Sequence, residues 1–175
     1  MVIPAGILIT RKLEQQIKTR RSQKSYAFII PLVLSALLSI SITWADSILA
    51  NNARSTATMI CKKYSNKNQT IWFLGHWGYQ YYMEQYGARP IDDRHRQFKR
   101  GDIITVPTRN TNVSRIPRKY VINEDSIQVP SSKYVATTDL DLGAGFYADV
   151  FGPLPFAFGF VKPDKFLIYD FKGNN

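Results

Sequence analysis

The chain has 175 residues, of which 45% are hydrophobic, 21% charged and 13% aromatic. These values exclude a collagen-like or low-complexity chain, and the length excludes a multidomain enzyme. The net charge of +10 comes from basic residues spread along the chain, so we expect no nucleic-acid partner. With a single cysteine, Cys61, no intrachain disulfide can form.

Residues 1–25 form a basic arm that contains six Lys or Arg residues and a single acid, Glu14. We predict that this arm is cytoplasmic. Within it, the apolar run 2–9 is too short to span a membrane. We interpret residues 2–9 either as an unstructured or interface-resting N-terminus or as the stub of a membrane helix from a larger polytopic protein.

Residues 26–44 carry no charge and predict a single transmembrane helix. Nineteen residues of helix measure about 28 Å, close to the ~30 Å hydrocarbon core of a bilayer. Tyr26 and Trp44, at its two ends, are typical interfacial aromatics. The alternative is a cleaved signal peptide ending near Ala45, but its n-region and apolar region would both be unusually long. We therefore favour an uncleaved anchor in the cytoplasmic (inner) membrane, with residues 45–175 outside the cytoplasm.

Beyond the apolar stretch, a pattern of three- and four-residue steps predicts that the helix continues outward to about residue 64 as an amphipathic helix. The residues on this pattern are Ile48, Leu49, Ala53, Thr56, Ala57, Ile60 and Tyr64.

Residues 71–107 predict a parallel βαβ unit, so we expect a small α/β domain over residues 45–175. Buried strands are indicated at 71–74 and 103–107, with a helix over 77–87 that stops at Gly87. One apolar stripe of that helix comprises Tyr79, Tyr82, Met83 and Tyr86.

The remainder of the chain predicts further strands at 119–123, 126–129, 133–136 and 166–171. The glycine-, proline- and aromatic-rich segment 141–163 predicts a structured extended loop on the sheet or at the membrane surface. Within it, GAGFYA (143–148) matches a dinucleotide fingerprint. We reject that reading because Gly152, Pro153 and Pro155 prevent the long helix that such a site needs.

The strongest candidate binding residues follow the first strand, at the edge where α/β sheets place ligand sites. His76, Gln80 and Glu84 are spaced i, i+4, i+8 and form one polar line on a helix. The candidate binding residues are His76, Trp77, Tyr81 and Glu84. For His76 and Trp77 we favour the structural alternative, with His76 hydrogen-bonding in the turn and Trp77 in the core. His76 and Glu84 lie too far apart to share a metal ion without another ligand, so we expect no metal and no cofactor.

A second group, Asp92, Asp93 and His95, has residue types suited to metal binding or acid–base chemistry. These residues alternate with Arg89, Arg94 and Arg96. The alternation favours a solvated loop of mixed charge.

The segments ADSILANNAR (45–54), IWFLGHWGYQYYMEQYGARP (71–90), GDIITVP (101–107) and GFYADVFGPLPFAFG (145–159) carry a family resemblance. Together they resemble the C-terminal extracytoplasmic tail of bacterial dolichyl-phosphate-mannose-protein mannosyltransferase-like glycosyltransferases. Members of that family have many membrane helices, with the catalytic carboxylate on the first extracytoplasmic loop. The resemblance covers about residues 45–160 and implies an envelope location and an association with lipid-linked sugar transfer.

We therefore expect a membrane-anchored extracytoplasmic domain that acts as an accessory or substrate-binding part of a lipid-sugar-dependent glycosyltransferase. Its expected partners are membrane lipid, a lipid-linked sugar and a polytopic membrane protein. We expect no catalysis by the chain alone. The alternative is a structural single-pass subunit that docks on a larger membrane complex.

Overall fold

The computed structural model describes residues 11–12, 14–15, 26–65, 69–91 and 98–173. The chain divides into two compact units, Met1–Ile40 and Ser41–Asn175. The first unit contains the apolar beginning of a long helix. The second contains the rest of that helix and a mixed α/β sheet domain.

The long helix, α1, spans Tyr26–Tyr64 without a break, which confirms the predicted continuation to residue 64. Its 39 residues measure about 58 Å, roughly twice the thickness of a bilayer core. By length and composition α1 can cross a membrane, and a signal sequence would pass the same test. Large apolar side chains along its first part are exposed, namely Ile29, Ile30, Leu32, Val33, Leu34, Leu37, Ile40 and Trp44.

The outer part of α1 packs on the sheet through the predicted apolar pattern. Thr56, Ala57, Ile60 and Tyr64 are buried. The earlier members of the pattern, between residues 48 and 53, are half-buried. The amphipathic pattern therefore marks the side of α1 that contacts the sheet domain.

After α1 the chain forms a second helix and nine strands within the described residues. The second helix, α2, spans Trp77–Gln85 and comes after the first strand and before the second in the sequence. The strands in chain order are β1 (Ile71–Phe73), β2 (Arg89–Pro90), β3 (Ile103–Pro107), β4 (Val121–Val129), β5 (Val135–Ala136), β6 (Thr138–Asp139), β7 (Ala144–Gly145), β8 (Ala157–Phe158) and β9 (Asp164–Phe171). Five of them form one sheet in the order β2-β1-β3-β9-β4.

The sequence predicted that the strands at 71–74 and 103–107 pair in parallel. The structure confirms this pairing, because β1 pairs parallel with β3 and Ile71 lies opposite Ile103. The route of the chain differs from the expectation. Helix α2 leads first to β2, a two-residue strand that pairs parallel with the other side of β1. The sequence pattern missed β2 because the strand is short and contains Pro90, a residue that sheets accept at an edge. β9 runs antiparallel to both β3 and β4.

Both faces of the sheet are covered, and successive residues alternate between them. Ile71 and Phe73 face α1 and α2, whereas Trp72 packs with Ile104 on the opposite face. β3 is buried along its whole length. This explains why it appears in the sequence as a continuous apolar run.

Helix α2 buries a narrower stripe than predicted. Tyr79 and Met83 are buried, but Tyr82 is only half-buried and Tyr86 is exposed. The predicted end of the helix is confirmed at Gly87, whose φ is +82°. Its amide donates to Glu84 O, and the next amide donates to Met83 O. This is the Schellman arrangement, which ends the helix after one buried turn and leaves Tyr86 outside the core.

The later part of the chain follows the predictions in outline. The predicted strands 119–123 and 126–129 form the single strand β4, and residues 118–120 form a 3₁₀ turn instead of a strand. The predicted strand 133–136 is reduced to β5, and 166–171 lies within β9.

Residues 134–160, which we call the aromatic lobe, form two small antiparallel ladders, β5 with β8 and β6 with β7. GAGFYA is followed by the short 3₁₀ turn Asp149–Phe151. The long helix that a dinucleotide site requires is therefore not formed at this position, as expected.

Candidate functional site

The turn that joins β1 to α2 has an unusual backbone. Gly75 has a φ of +99°, and Trp77 has a φ of +58°. A Cβ on Gly75 would lie 2.8 Å from Pro107 Cγ, so only glycine fits where this turn passes the end of β3. A tryptophan in the left-handed region is a strained residue, and such residues concentrate at functional sites.

Asn110 holds this turn in place from the end of β3. Its Oδ1 accepts a hydrogen bond from the His76 amide at 2.7 Å, and its Nδ2 donates to His76 O at 3.1 Å. The Asn110 side chain is thus paired with both main-chain groups of one residue, as a neighbouring strand would be. The carboxyl ends of β1 and β3 are thereby joined.

The His76 ring is the centre of a line of hydrogen-bonded side chains, which we call the His76 chain. Asn112 Nδ2 lies 2.6 Å from His76 Nε2, and His76 Nδ1 lies 3.2 Å from Gln80 Oε1. Gln80 Nε2 then donates to Glu84 Oε1 at 2.9 Å. Because an amide nitrogen only donates, Nε2 accepts and Nδ1 carries the proton, which fixes a neutral tautomer. The predicted polar line therefore exists and gains Asn112 as a fourth member.

A cavity of about 740 Å³, which we call the strand-end cavity, opens beside the His76 chain. It runs over the face of the sheet that carries Ile104 and Phe171, and it reaches the carboxyl ends of β1 and β2, at the edge where parallel sheets bind ligands. Its size is within the range of small-molecule sites. His76, Gln80, Asn112, Ser114 and Arg115 provide polar groups. Its apolar lining includes Leu74, Ile91, Phe98, Ile104, Ile116, Tyr120 and Phe171.

The four predicted binding residues do not converge on this cavity. His76 lines it, and Glu84 lies at the exposed end of the His76 chain. Tyr81 is 62% exposed and packs edge-on against Tyr82. Trp77 lines a different, smaller cavity of about 180 Å³. Trp77 is exposed at that cavity. It is therefore not the buried core residue that the structural interpretation of the sequence expected.

Asp92, Asp93 and His95, the other sequence candidates, lie outside the described residues. Within the part of the chain that the structure describes, no group of three or more His, Cys, Asp or Glu side chains is arranged to hold a metal ion.

A buried ionic group, which we call the Arg109 cluster, lies just beyond β3. Arg109 contacts Asp164 at 2.6 Å and Asp139 at 2.7 Å, and both carboxylates are almost fully buried. Asn52 of α1 donates to Asp164 at 2.6 Å and to Pro130 O at 2.8 Å. The cluster therefore joins α1, β9 and the aromatic lobe.

A third polar contact lies beside the smaller cavity. Tyr147 Oη lies 2.8 Å from both carboxylate oxygens of Asp46, and Thr137 Oγ1 donates to the same carboxylate at 3.3 Å. The Tyr147 ring packs against Trp77 with centroids 5.4 Å apart. Partial burial, followed by the hydrogen bond to Asp46 and the charge of that carboxylate, raises the pKa of Tyr147 to about 12.

Sequence reasoning missed Asn110, Asn112, Arg109 and Asp46. A usable signal existed for the two asparagines, because they follow β3 just as His76 follows β1. The carboxyl ends of neighbouring parallel strands meet at one sheet edge, so the two turns had to lie together. Arg109 and Asp46 carry no such local signal, since their partners lie at least 30 residues away.

The fold and site define a mixed α/β domain that follows a helix able to span a membrane, with a ligand-sized cavity at the strand ends. Comparison of the chain with protein-family models, curated proteins and solved structures finds no match.

Proposed function

We propose that the chain is a membrane-anchored accessory domain that binds a sugar, free or lipid-linked, in the strand-end cavity. The observation that carries this proposal is the His76 chain on the cavity wall. It offers hydrogen-bonding side chains that begin at a turn whose main chain Asn110 holds from the end of β3.

The lining of the cavity suits the two kinds of surface that a sugar presents. Hydroxyl groups pair with amide and imidazole groups such as those of Gln80, Asn112 and His76. The apolar C–H faces of a sugar ring pack on aromatic side chains, which Phe98 and Tyr120 supply. Arg115 adds a cation that favours a sugar attached to a phosphate.

The proposal assigns binding and not transfer to this chain. Glycosyl transfer needs a carboxylate within reach of the acceptor hydroxyl. On the His76 chain the carboxylate is Glu84, which is exposed and separated from His76 by Gln80. The resemblance to mannosyltransferase-like tails supports a role beside a polytopic transferase that supplies the chemistry.

The membrane anchor is part of the same proposal, with the N-terminus in the cytoplasm and the sheet domain outside. The six basic residues before the apolar stretch favour this orientation, since charge near a helix end sets topology. A reporter enzyme fused after Asn175 should be active only outside the cytoplasm. Reporter activity in the cytoplasm, or a mature chain that begins near Asp46, would contradict the anchor.

The binding role is tested by calorimetric titration of the full chain in lipid nanodiscs with free sugars and with polyprenyl-phosphate sugars. We expect His76→Ala to weaken binding by about fivefold, because one lost hydrogen-bonding group costs about 1 kcal/mol and a tenfold change corresponds to about 1.4 kcal/mol. Tyr81→Ala, on the same helix but outside the cavity, should leave the affinity unchanged.

Three results would contradict the binding role. They are the absence of saturable heat with every sugar, equal losses in His76→Ala and Tyr81→Ala, and turnover of a lipid-linked sugar by the purified chain.

The second candidate function is a structural single-pass subunit, and the exposed apolar side chains of the aromatic lobe favour it. The two functions depend on different residues. Docking on a larger protein requires the lobe, so Phe160→Ser should reduce the mass of the complex extracted from membranes, as measured by native mass spectrometry. His76→Ala should leave that mass unchanged.

A further inference from the structure

The aromatic lobe carries several exposed large apolar side chains. Six large apolar side chains of the lobe are exposed, and the three phenylalanines among them are 60% exposed or more. Exposed apolar surface, where it is contiguous, commonly marks a protein or membrane interaction site. The six are Leu140, Phe146, Val150, Leu154, Phe158 and Phe160.

The lobe is attached to α1 close to the end of the apolar stretch. Tyr147 and Thr137 both bond to Asp46, which follows Trp44 by two residues. Trp44 is itself 67% exposed. An exposed tryptophan that ends an apolar helix is typical of the membrane interface. The attachment therefore brings the exposed apolar lobe to the level of the interface.

The charges of the lobe fit the same position. Between residues 134 and 160 the sequence has no Lys or Arg and three acids. Asp139 is paired with Arg109, and Asp141 is paired with Lys162 outside the lobe. Asp149 remains exposed, which limits insertion to the headgroup region, where a carboxylate can stay hydrated.

We propose that the aromatic lobe inserts its exposed apolar side chains into the interfacial layer of the bilayer that α1 crosses. This inference rests on the proposed membrane anchor and is independent of sugar binding. The occupant of the apolar surface is lipid, and the lobe is a second attachment that holds the sheet domain at the membrane surface. Interfacial elements of this kind enter to the boundary between headgroups and acyl chains, about 5–10 Å deep.

The test measures the depth of single labelled positions on the full chain in nanodiscs of phosphatidylcholine. A polarity-sensitive fluorophore is attached to Phe146→Cys and, separately, to Phe160→Cys. Both side chains are largely exposed, so their replacement removes little packing. Nitroxide lipids then report contact with shallow or deep parts of the bilayer. Wild type is the blank, because its only cysteine, Cys61, is buried.

Two control positions separate this inference from the anchor itself. A label at Trp44→Cys reports whether α1 is inserted. A label at Ile122→Cys reports an exposed apolar position on β4, outside the lobe. We expect labels at 146 and 160 to be quenched about as strongly as the label at 44. Shallow nitroxides should quench more than deep ones, and the label at 122 should be unaffected.

Each remaining outcome overturns the inference in a recognisable way. If the label at 44 is quenched and the labels at 146 and 160 are not, α1 is inserted in the bilayer but the lobe is exposed to water. A blue shift at 146 without lipid quenching means that a protein surface covers the lobe. No quenching at 44 removes the anchor and this inference together.

Discussion

The Arg109 cluster and the His76 chain are both made of hydrogen-bonded polar side chains, yet they differ in burial and in charge. The side chains of Arg109 and its two carboxylate partners are at most 15% exposed. The His76 chain is neutral at its centre and reaches solvent at both ends, Asn112 and Glu84.

This difference separates a polar group that maintains the fold from one that can bind a ligand. A buried charge that loses its partner keeps its full desolvation cost, so the Arg109 cluster cannot exchange partners. A solvent-exposed neutral hydrogen bond is worth little, because water replaces it. A ligand hydroxyl can replace it equally well, and only the His76 chain offers that exchange beside the strand-end cavity.

The largest effect should come from breaking the cluster. We expect Arg109→Ala to lower the free energy of unfolding by about 3–5 kcal/mol, because Asp139 and Asp164 remain buried without a counter-ion. Urea unfolding of the full chain in micelles, followed by circular dichroism, measures the change.

Arg115→Ala is the matched control, because its pair with Glu124 is exposed on the arginine side. Pairs of that kind contribute up to about 1 kcal/mol. Equal losses in the two variants would mean that burial does not distinguish the cluster.

A smaller effect is expected from the buried hydroxyl of Tyr79, which lies 2.8 Å from Thr105 Oγ1. Tyr79→Phe should cost about 1–3 kcal/mol, because the threonine hydroxyl loses its partner. The double variant Tyr79→Phe with Thr105→Val should recover most of this loss in the same unfolding assay. No recovery would show that the hydrogen bond is not the origin of the loss.

The elements that sequence analysis predicted are those determined by local periodicity. The span of α1, the stop at Gly87 and the apolar run of β3 each depend on residues close to one another in the sequence. The exposure of Tyr86 was missed because the apolar stripe was extended too far: the helix ends at Gln85, so Tyr86 lies in the stop itself and not on the buried face.

The candidate site was predicted only in part, because it is assembled from two turns. His76 was identified from its position after β1, but its partner Asn112 lies 36 residues away. Trp77 and Tyr81 lie on α2 near His76 in sequence. However, Trp77 lines the smaller cavity and Tyr81 packs against Tyr82. Spacing along one helix could therefore find the His76 chain but not the lining of the cavity.

The His76 chain itself should contribute little to stability. We expect Gln80→Ala to change the free energy of unfolding by less than about 1 kcal/mol, because solvent reaches the groups that it pairs. A loss as large as that of Tyr79→Phe would mean that the His76 chain stabilises the fold. It would weaken the assignment of the His76 chain to ligand binding.

The smallest expected effect is a pH dependence at the attachment of the lobe. Burial and Asp46 raise the pKa of Tyr147 to about 12, above the usual tyrosine value near 10. The folded state therefore retains this proton more strongly, so stability is complete below about pH 10 and falls as the pH rises towards 12. Thermal melts should show a shallower alkaline decline in Tyr147→Phe, whereas Tyr81→Phe should resemble wild type.

The claim that the strand-end cavity binds a sugar through His76 is tested most directly by ¹⁵N spectra of histidine-labelled full chain in nanodiscs. The signals of His76 are assigned with His76→Gln. Titration with a lipid-linked sugar should move the Nε2 signal of His76 saturably, because a ligand hydroxyl replaces Asn112 as its donor. A His76 signal that stays fixed at saturating sugar would contradict the account.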